Sequence, residues 1–485
     1  MNIQVMLLPA SGTMRILLLL AWSCMQLTRE LIEVVALSSS AVPPPRTSRP
    51  AEKDVNLAVP IFFDSSNALH RSLTYHPEQP ARIEACVQAL EEWDQKQQQP
   101  ALATSANSTG GGTSSSGGRP IIRRNLDLVD VAAAAVATTA NNDDDADGLG
   151  TTSSAAPPIT SCGHPILPNE LEYARDILMQ VHAPEMVLKL ERKCRESRRR
   201  RVEDGKPPLG FVGNIDDDTY VTTDTYDVCL RATATWIRAV DWVMEAVEKD
   251  PSSSRMVPSA MALTRPPGHH ATATMSNGFC IFNFCAAAAL HCSQKAATAD
   301  NNNQPIIKIS ILDWDVHYGQ GTADIVSNYP DTIRYASIHQ VPAFPYMGTE
   351  RKLSGNIMTI PMIADTTWTC GYRQYFHEAL DFLFGSASSE DDDDGWEPDL
   401  VLVSAGYDAL DSDDLASVSL NAQDFHQMTH AVLERIRNQT KPAGLVLGLE
   451  GGYQLGAMAG GGNLQQAVVE TVKALLHQQE NTEEK

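Results

Sequence analysis

From Leu171 onward the apolar positions fall into two alternating patterns. Segments with apolar residues every three to four positions, the spacing of one helix face, cover 171–180, 184–197, 223–249, 279–297, 371–384 and 421–437. Between them stand short unbroken apolar runs at 257–264, 306–312, 333–338, 356–361, 398–404 and 443–449. Unbroken runs mark strands buried on both faces. Their alternation with helices predicts an α/β fold, a mostly parallel central sheet flanked by helices. In such sheets ligands bind just beyond the carboxyl ends of strands, so the residues that follow each run are where chemistry is expected.

Upstream, Val59 to Phe63 is a further β-type run, and His76-Pro-Glu-Gln-Pro-Ala-Arg82 opens a helical pattern that continues to Trp93. These elements are too short to form a core alone, so they belong to the same domain as the later ones. Low-complexity sequence follows at about 95–160, with a Gln tract, a Gly/Ser block from Ser108 to Gly118, an Ala run and an Asp run. Apart from a possible strand at 121–129, it carries too little apolar surface to order itself and reads as an insertion. The expected organisation is one domain over about 55–478, with that insertion and an acidic loop at about 385–397, preceded by a leader over 1–54.

In the leader, Arg15 precedes the apolar stretch Ile16 to Trp22, of signal-peptide rather than membrane-spanning length. A small-residue site follows at Ala36-Leu-Ser38, and Ser38 to Ala51 is rich in Ser, Pro and Arg without acids, like an organellar transit segment. Signal followed by transit composition fits the secretory pathway or import into a plastid wrapped in extra membranes. A disordered leader without a targeting role, on a cytoplasmic or nuclear protein, is the alternative. No later segment is long and apolar enough to span a bilayer.

The 485 residues include 60 acidic and 37 basic side chains, a net charge of −23. That balance argues against direct nucleic-acid binding and suits cationic substrates. Runs such as Asp143 to Asp145 and Glu390 to Asp394 read as solvated loops, so the excess overstates the charge near any one site. The dense basic run Arg198 to Arg201 reads as the exposed end of a helix in preference to a nucleic-acid site. Nine cysteines without paired spacing make no disulfide framework. Cys280, Cys285 and Cys292 read as buried small hydrophobes.

Five of the apolar runs end in polar or glycine-rich clusters. These are Arg265-Pro-Pro-Gly-His269-His270, then Asp313-Trp-Asp315-Val-His317, then His339 with Phe344-Pro-Tyr-Met-Gly348, then Ala405-Gly-Tyr-Asp408, and finally Glu450-Gly-Gly-Tyr453. A parallel sheet would bring all five to one pocket. Asp313, Asp315 and His317 alternate, so an extended chain turns them to one side. Carboxylate oxygen with imidazole nitrogen suits zinc or another first-row divalent metal. On spacing alone, a polar strand end capped by a loop stands equally well, as a surface loop does for GHH and a hairpin for GGY.

Taken together, RPPGHH (265–270), GFCIFNF (278–284), DWDVHYGQGT (313–322), SAGYDAL (404–410) and EGGY (450–453) resemble, in order, the motifs of the zinc-dependent histone deacetylase family. The tryptophan and the EGGY ending are most similar to its class II and acetylpolyamine amidohydrolase-like branches. The resemblance covers about residues 57 to 475, interrupted at 95–160 and 385–397. It implies the arginase/deacetylase fold, with Asp315, His317 and Asp408 holding a Zn2+ ion that leaves coordination open for water and substrate. It further implies that His269 and His270 handle protons and that the Tyr453 hydroxyl serves the substrate oxyanion. Phe279 and Phe344, with Gly278, would line a tunnel for an acyl-lysine stem, core packing being the plainer role of the two rings. Asp313 would orient His269 and share a structural K+ ion with Ser337, and Gln320 would face His270. Arg82 resembles an internal arginine at the tunnel foot.

Two positions depart from the commoner family pattern. Tyr318 stands where a second histidine is frequent, which removes no ligand. Gln320 stands where some members have Asp and others Asn; a neutral amide does not stabilise an imidazolium as a carboxylate would, so His270 is expected to keep a lower pKa and act as a base. The leading expectation is an enzyme that removes acetyl or short acyl groups from protein lysines. Acetylated polyamines or other small amides are the alternative substrates, and leucine at 415, where an acidic rim residue would favour a polyamine, leans toward acetyl-lysine. An inactive acyl-lysine binding scaffold is the reading from another class. Every expected ligand and Tyr453 are present, which weakens it.

Overall fold

The apolar runs become strands because both of their faces are covered. A computed structural model describes residues 59–98, 126–130, 165–249, 256–298, 306–385, 395–456 and 462–478. The leader, most of the 95–160 insertion and the acidic stretch 386–394 lie outside the described residues. In chain order the strands are β1 (Val59–Phe63), β2 (Leu126–Asp130), β3 (Phe211–Asn214), β4 (Tyr220–Thr222), β5 (Ser259–Leu263), β6 (Ile309–Asp313), β7 (Ile333–Gln340), β8 (Lys352–Ser354), β9 (Ile357–Met362), β10 (Leu400–Ala405) and β11 (Gly444–Leu449). The helices are α1 (Ala81–Gln98), α2 (Pro168–Val181), α3 (Pro184–Glu203), α4 (Thr225–Lys249), α5 (Phe284–Thr298), α6 (Gln320–Val326), α7 (Tyr372–Leu383), α8 (Ala422–Arg437) and α9 (Leu464–Leu476).

Nine strands form one sheet in the order β2-β1-β5-β11-β10-β6-β7-β9-β8. Every pairing in it is parallel except β8 with β9. Side chains alternate between two cores. Val401, Val403, Leu445 and Leu447 pack on the side of α7, α8 and α9, whereas Leu400, Leu402, Ile309 and Ile311 pack on the side of α4 and α5. Each such side chain buried contributes roughly 1.5–3 kcal/mol of transfer free energy. This double burial is why the strands read as unbroken apolar runs rather than alternating ones.

The five strands that carry the chemical motifs are consecutive neighbours, β5-β11-β10-β6-β7. Being parallel, they end on one edge. The α/β expectation and the convergence are therefore both realised.

Several boundaries differ from the sequence pattern. The 279–297 helix starts at Phe284, where the Asn283 Oδ1 accepts the Ala286 N–H as a cap; residues 279–283 instead form a wall of the site. His76 does not open a helix but lies in a loop, edge-on to Phe279 at 4.7 Å. The hairpin of β3, largely exposed, and β4, buried, the short α6 and the last helix α9 were not expected. The possible strand at 121–129 is present as β2, seated parallel against β1. Arg198 to Arg201 do lie on the exposed end of a helix, where Arg198 pairs with Asp224 and Asp227, Arg199 with Glu203 and Arg200 with Glu196. The seven cysteines among the described residues are free.

Candidate active site

Asp315, His317 and Asp408 meet just beyond β6 and β10. Asp315 and Asp408 are buried, and His317 is half-buried. The His317 Nδ1 lies 3.2 Å from Asp315 Oδ1 and 3.1 Å from Asp408 Oδ2. The second oxygen of each carboxylate is held by backbone: Gly451 N–H donates to Asp315 Oδ2 at 2.8 Å, and Val316 N–H donates to Asp408 Oδ1 at 3.0 Å. Donors around a tetrahedral zinc, at about 2.0–2.2 Å from the ion, stand roughly 3.3–3.6 Å apart. Two carboxylates and one imidazole at this spacing fit a single divalent cation in charge and in donor type. Gly451 is required at its position, because a Cβ there would meet Asp408 Oδ2 at 2.1 Å and Asp315 Oδ2 at 2.5 Å.

The tandem histidines lie against this set in different electrostatic settings. The His269 Nδ1 faces Asp313 Oδ2 at 3.1 Å, and its Nε2 is 3.7 Å from Asp315 Oδ1. Burial works against a charged His269, but Asp315 and Asp313 outweigh it and lift its pKa to about 10. His270 lies well below its usual value because of burial first, then the neighbouring His269 and His317. Its Nδ1 is 2.7 Å from Gln320 Oε1. The low pKa expected of His270 is therefore present, set by burial and the two neighbouring histidines against the opposing pull of Asp315 and the Gln320 bond.

Phe279 and Phe344 are half-buried and border the site instead of filling the core. Phe344 stands edge-on to His270 at 4.9 Å, and Phe279 edge-on to Tyr453 at 5.6 Å. A Cβ on Gly278 would meet Phe344 at 2.5 Å and His270 at 2.9 Å, so bare backbone packs against both rings there. Tyr453 follows Gly452, whose φ of 107° suits glycine. The Arg82 guanidinium lies 4.6 Å from the Tyr453 ring centroid and donates to the backbone oxygens of Gly452, at 2.7 Å, and of Glu450. Leu415 is exposed, on the loop after β10. Asp313 and Ser337 are register partners on β6 and β7. Asp313 accepts from Tyr335 Oη at 2.7 Å as well as facing His269, and the Ser337 hydroxyl is 3.0 Å from His339 Nδ1.

Three groups at the site had no assigned part in the sequence reading. The buried Glu450 Oε2 accepts the N–H groups of Gly268, at 2.6 Å, and His269, at 3.1 Å, so the end of β11 fixes the histidine loop. Burial raises its carboxyl to about 7 against the pull of His269. Asp413, also buried, accepts the Tyr453 N–H at 2.6 Å. Arg265 forks onto Glu78 at 2.7 and 2.6 Å under the same loops. His269, Cys280 and Glu450 form a second close group of potential ligands, but Glu450 is already engaged with backbone N–H groups, and burial pushes the Cys280 thiol far up.

Comparison with known proteins agrees with this geometry. The histone deacetylase domain family matches residues 158–469. An uncharacterized protein of Synechocystis sp. is 37% identical over 267 residues, 54% of this chain and 74% of that one. A chloroplastic histone deacetylase of Oryza sativa is 30% identical, covering 53% of each chain. A polyamine deacetylase of Danio rerio is 29% identical over 54% of this chain and 34% of its own. The chain thus spans about half the length of the rice relative. An acetylpolyamine aminohydrolase structure from Burkholderia pseudomallei shares the fold, with a TM-score of 0.55 at 18% identity over 86% of this chain and 98% of that one. The chain belongs to the histone deacetylase family, whose enzymes are zinc-dependent deacetylases.

Proposed function

We propose that this family member is an amidohydrolase that removes acetyl, or a related short acyl group, from lysine side chains of proteins. One observation carries the reading: the Asp315–His317–Asp408 donor set converges with two histidines of opposite charge preference and a tyrosine, at the ends of four adjacent strands. Asp315, His317 and Asp408 would hold the zinc. When bound, that ion makes water acidic enough to ionise near neutral pH and polarises an amide carbonyl. His270, with Nδ1 directed to Gln320, presents Nε2 as the acceptor for the proton that water gives up. His269, whose Nδ1 faces Asp313 at 3.1 Å, would supply the proton the departing lysine amine needs. The Tyr453 hydroxyl donates to the substrate carbonyl oxygen, a bond that strengthens as negative charge develops there. Phe279 and Phe344 border a slot suited to a methylene stem, and Asp313 with Ser337 is offered as the place of a structural potassium ion.

Exposed apolar Leu415 at the rim supports a lysine in a peptide over a free polyamine. The opposite reading has its own support: Asp217 and Asp218 are exposed on a turn whose Thr219 hydroxyl accepts the Phe279 N–H at 2.9 Å, so negative charge borders the aromatic wall. Turnover of an acetyl-lysine peptide and an acetylated spermidine by the zinc-loaded chain decides between them. The proposal expects the higher kcat/KM on the peptide, and a higher value on the polyamine would reverse it.

For location we propose the plastid, from the leader composition and the chloroplastic relatives in Oryza sativa and Arabidopsis thaliana. No helix among the described residues is long and apolar enough to cross a membrane. Imaging the full chain with a C-terminal tag tests this, and a nuclear signal would count against it.

A further inference from the structure

Tyr453 stands after two glycines, the kind of backbone that leaves a side chain's direction poorly determined. Its ring has neighbours, Phe279 edge-on at 5.6 Å and the Arg82 guanidinium at 4.6 Å from the centroid. Such contacts tolerate sliding and rotation. The directional anchor is on the backbone. Asp413, 5% exposed, uses Oδ2 to accept the N–H of Tyr453 at 2.6 Å and that of Gln454 at 3.3 Å. Its Oδ1 accepts the Leu415 N–H at 3.1 Å. One carboxylate thus fastens the tyrosine loop after β11 to the rim loop after β10. Two carboxyl oxygens serving three N–H donors fix direction as well as distance.

We propose that Asp413 is a positioning residue for the reaction, setting the place of the Tyr453 hydroxyl through the Tyr453 N–H. This rests on the reading of Tyr453 as the carbonyl donor. Asp413 lies outside the proposed metal and proton-handling groups, and its effect passes through the tyrosine. A misplacement of about an ångström in a group of this kind costs up to ~10²-fold in rate.

The test uses four zinc-loaded full-length chains: wild type, Asp413→Asn, Tyr453→Phe and the double variant. Asparagine keeps the size but turns an amide NH2 toward N–H donors. Measurements on each are kcat and KM with an acetyl-lysine peptide, zinc content and melting temperature. Asp413→Asn is expected to lower kcat ~10- to 100-fold with KM and zinc content unchanged. In the Tyr453→Phe background the same substitution should change kcat by no more than about twofold, because a group acting through the hydroxyl has nothing left to position. Asp413→Glu, which keeps two carboxyl oxygens to accept from the N–H groups, should recover part of the loss. Losses that multiply in the double variant, or zinc content that falls with kcat, would overturn the proposal while leaving the Tyr453 reading intact. Failure of both Asp413 variants to fold would assign the residue to stability and overturn it too. A wild-type kcat in Tyr453→Phe alone would instead remove the reading on which it rests.

Discussion

The two ends of the same sheet handle charge in opposite ways. At the amino ends, Asp399 pairs with Lys441 at 2.7 Å and accepts the Lys308 N–H at 2.8 Å. Lys308 and Arg334 stand over the Trp396 ring at 5.0 and 4.4 Å. These charges are half-buried, mixed in sign and reached by water. At the carboxyl ends, Asp313, Asp315, Asp408, Asp413 and Glu450 are all 5% exposed or less, and they face three histidines. The nearby Arg82 and Arg265 share a sixth carboxylate, Glu78. Removing one ion from water costs several kcal/mol even after relaxation. An excess of buried carboxyl groups is a poor way to stabilise a fold and a good way to bind a cation, so the imbalance itself separates the two ends.

The sharpest way to break this contrast is to remove one of the proposed ligands. Asp408→Ala should reduce bound zinc from about one per chain to near zero and abolish deacetylation, read by metal analysis and a peptide assay. Full activity in that variant would show that the anionic excess has another purpose. Next in size, Tyr453→Phe should lower kcat by ~10²–10³ with the metal and the melting temperature preserved. A variant that melts early but turns over normally would place the tyrosine in the fold alone.

A smaller effect involves protons. His182, between α2 and α3, is 2.8 Å from the Thr272 carbonyl through Nδ1 and accepts the Asn283 N–H through Nε2 at 2.9 Å. Only a neutral ring can donate at one nitrogen and accept at the other. Burial lowers its pKa from 6.5 to about 4. The folded value is below the unfolded one, so its contribution is present above about pH 6.5 and is lost as pH falls toward about 4, at about 1.4 kcal/mol per unit. His182→Gln, which can still donate and accept, should flatten the fall of stability with pH in that window. An unchanged slope would argue against a neutral His182.

The smallest effect belongs to the amino end. Asp399→Ala should cost about 0–1 kcal/mol through the partly exposed Lys441 pair, with kcat and zinc content untouched. A large loss of activity would mean the two ends are coupled and the contrast is too simple.

What could be read in advance follows the same division. Strands buried on both faces leave an unbroken apolar record, so β5, β6, β7, β9, β10 and β11 were legible to within a few residues. The β3–β4 hairpin buries little of Phe211 to Asn214 and left none. Helix α9 did carry a signal, Asn463 capping a run in which Gln466 bonds back to the cap, and it was overlooked. Asp315, His317 and Asp408, the proposed metal ligands, stood out because such ligands must be of particular side-chain types. Asp413 and Glu450 did not, because their partners are backbone N–H groups, which every residue but proline carries and no sequence pattern marks.

Strand β2 has a last consequence, in the currency of chain entropy. It emerges from within the low-complexity insertion and pairs with β1 over its full length. The tract is therefore divided into two segments, 99–125 between α1 and β2 and 131–164 between β2 and α2. Closure entropy grows only as the logarithm of length, about 0.6 kcal/mol per doubling. Cutting residues 105–118 should thus leave folding and turnover nearly unchanged, whereas deleting Leu126–Asp130 would strip the edge of the sheet. Length in this part of the chain is close to thermodynamically neutral. Insertions and deletions can accumulate on either side of β2 at little cost.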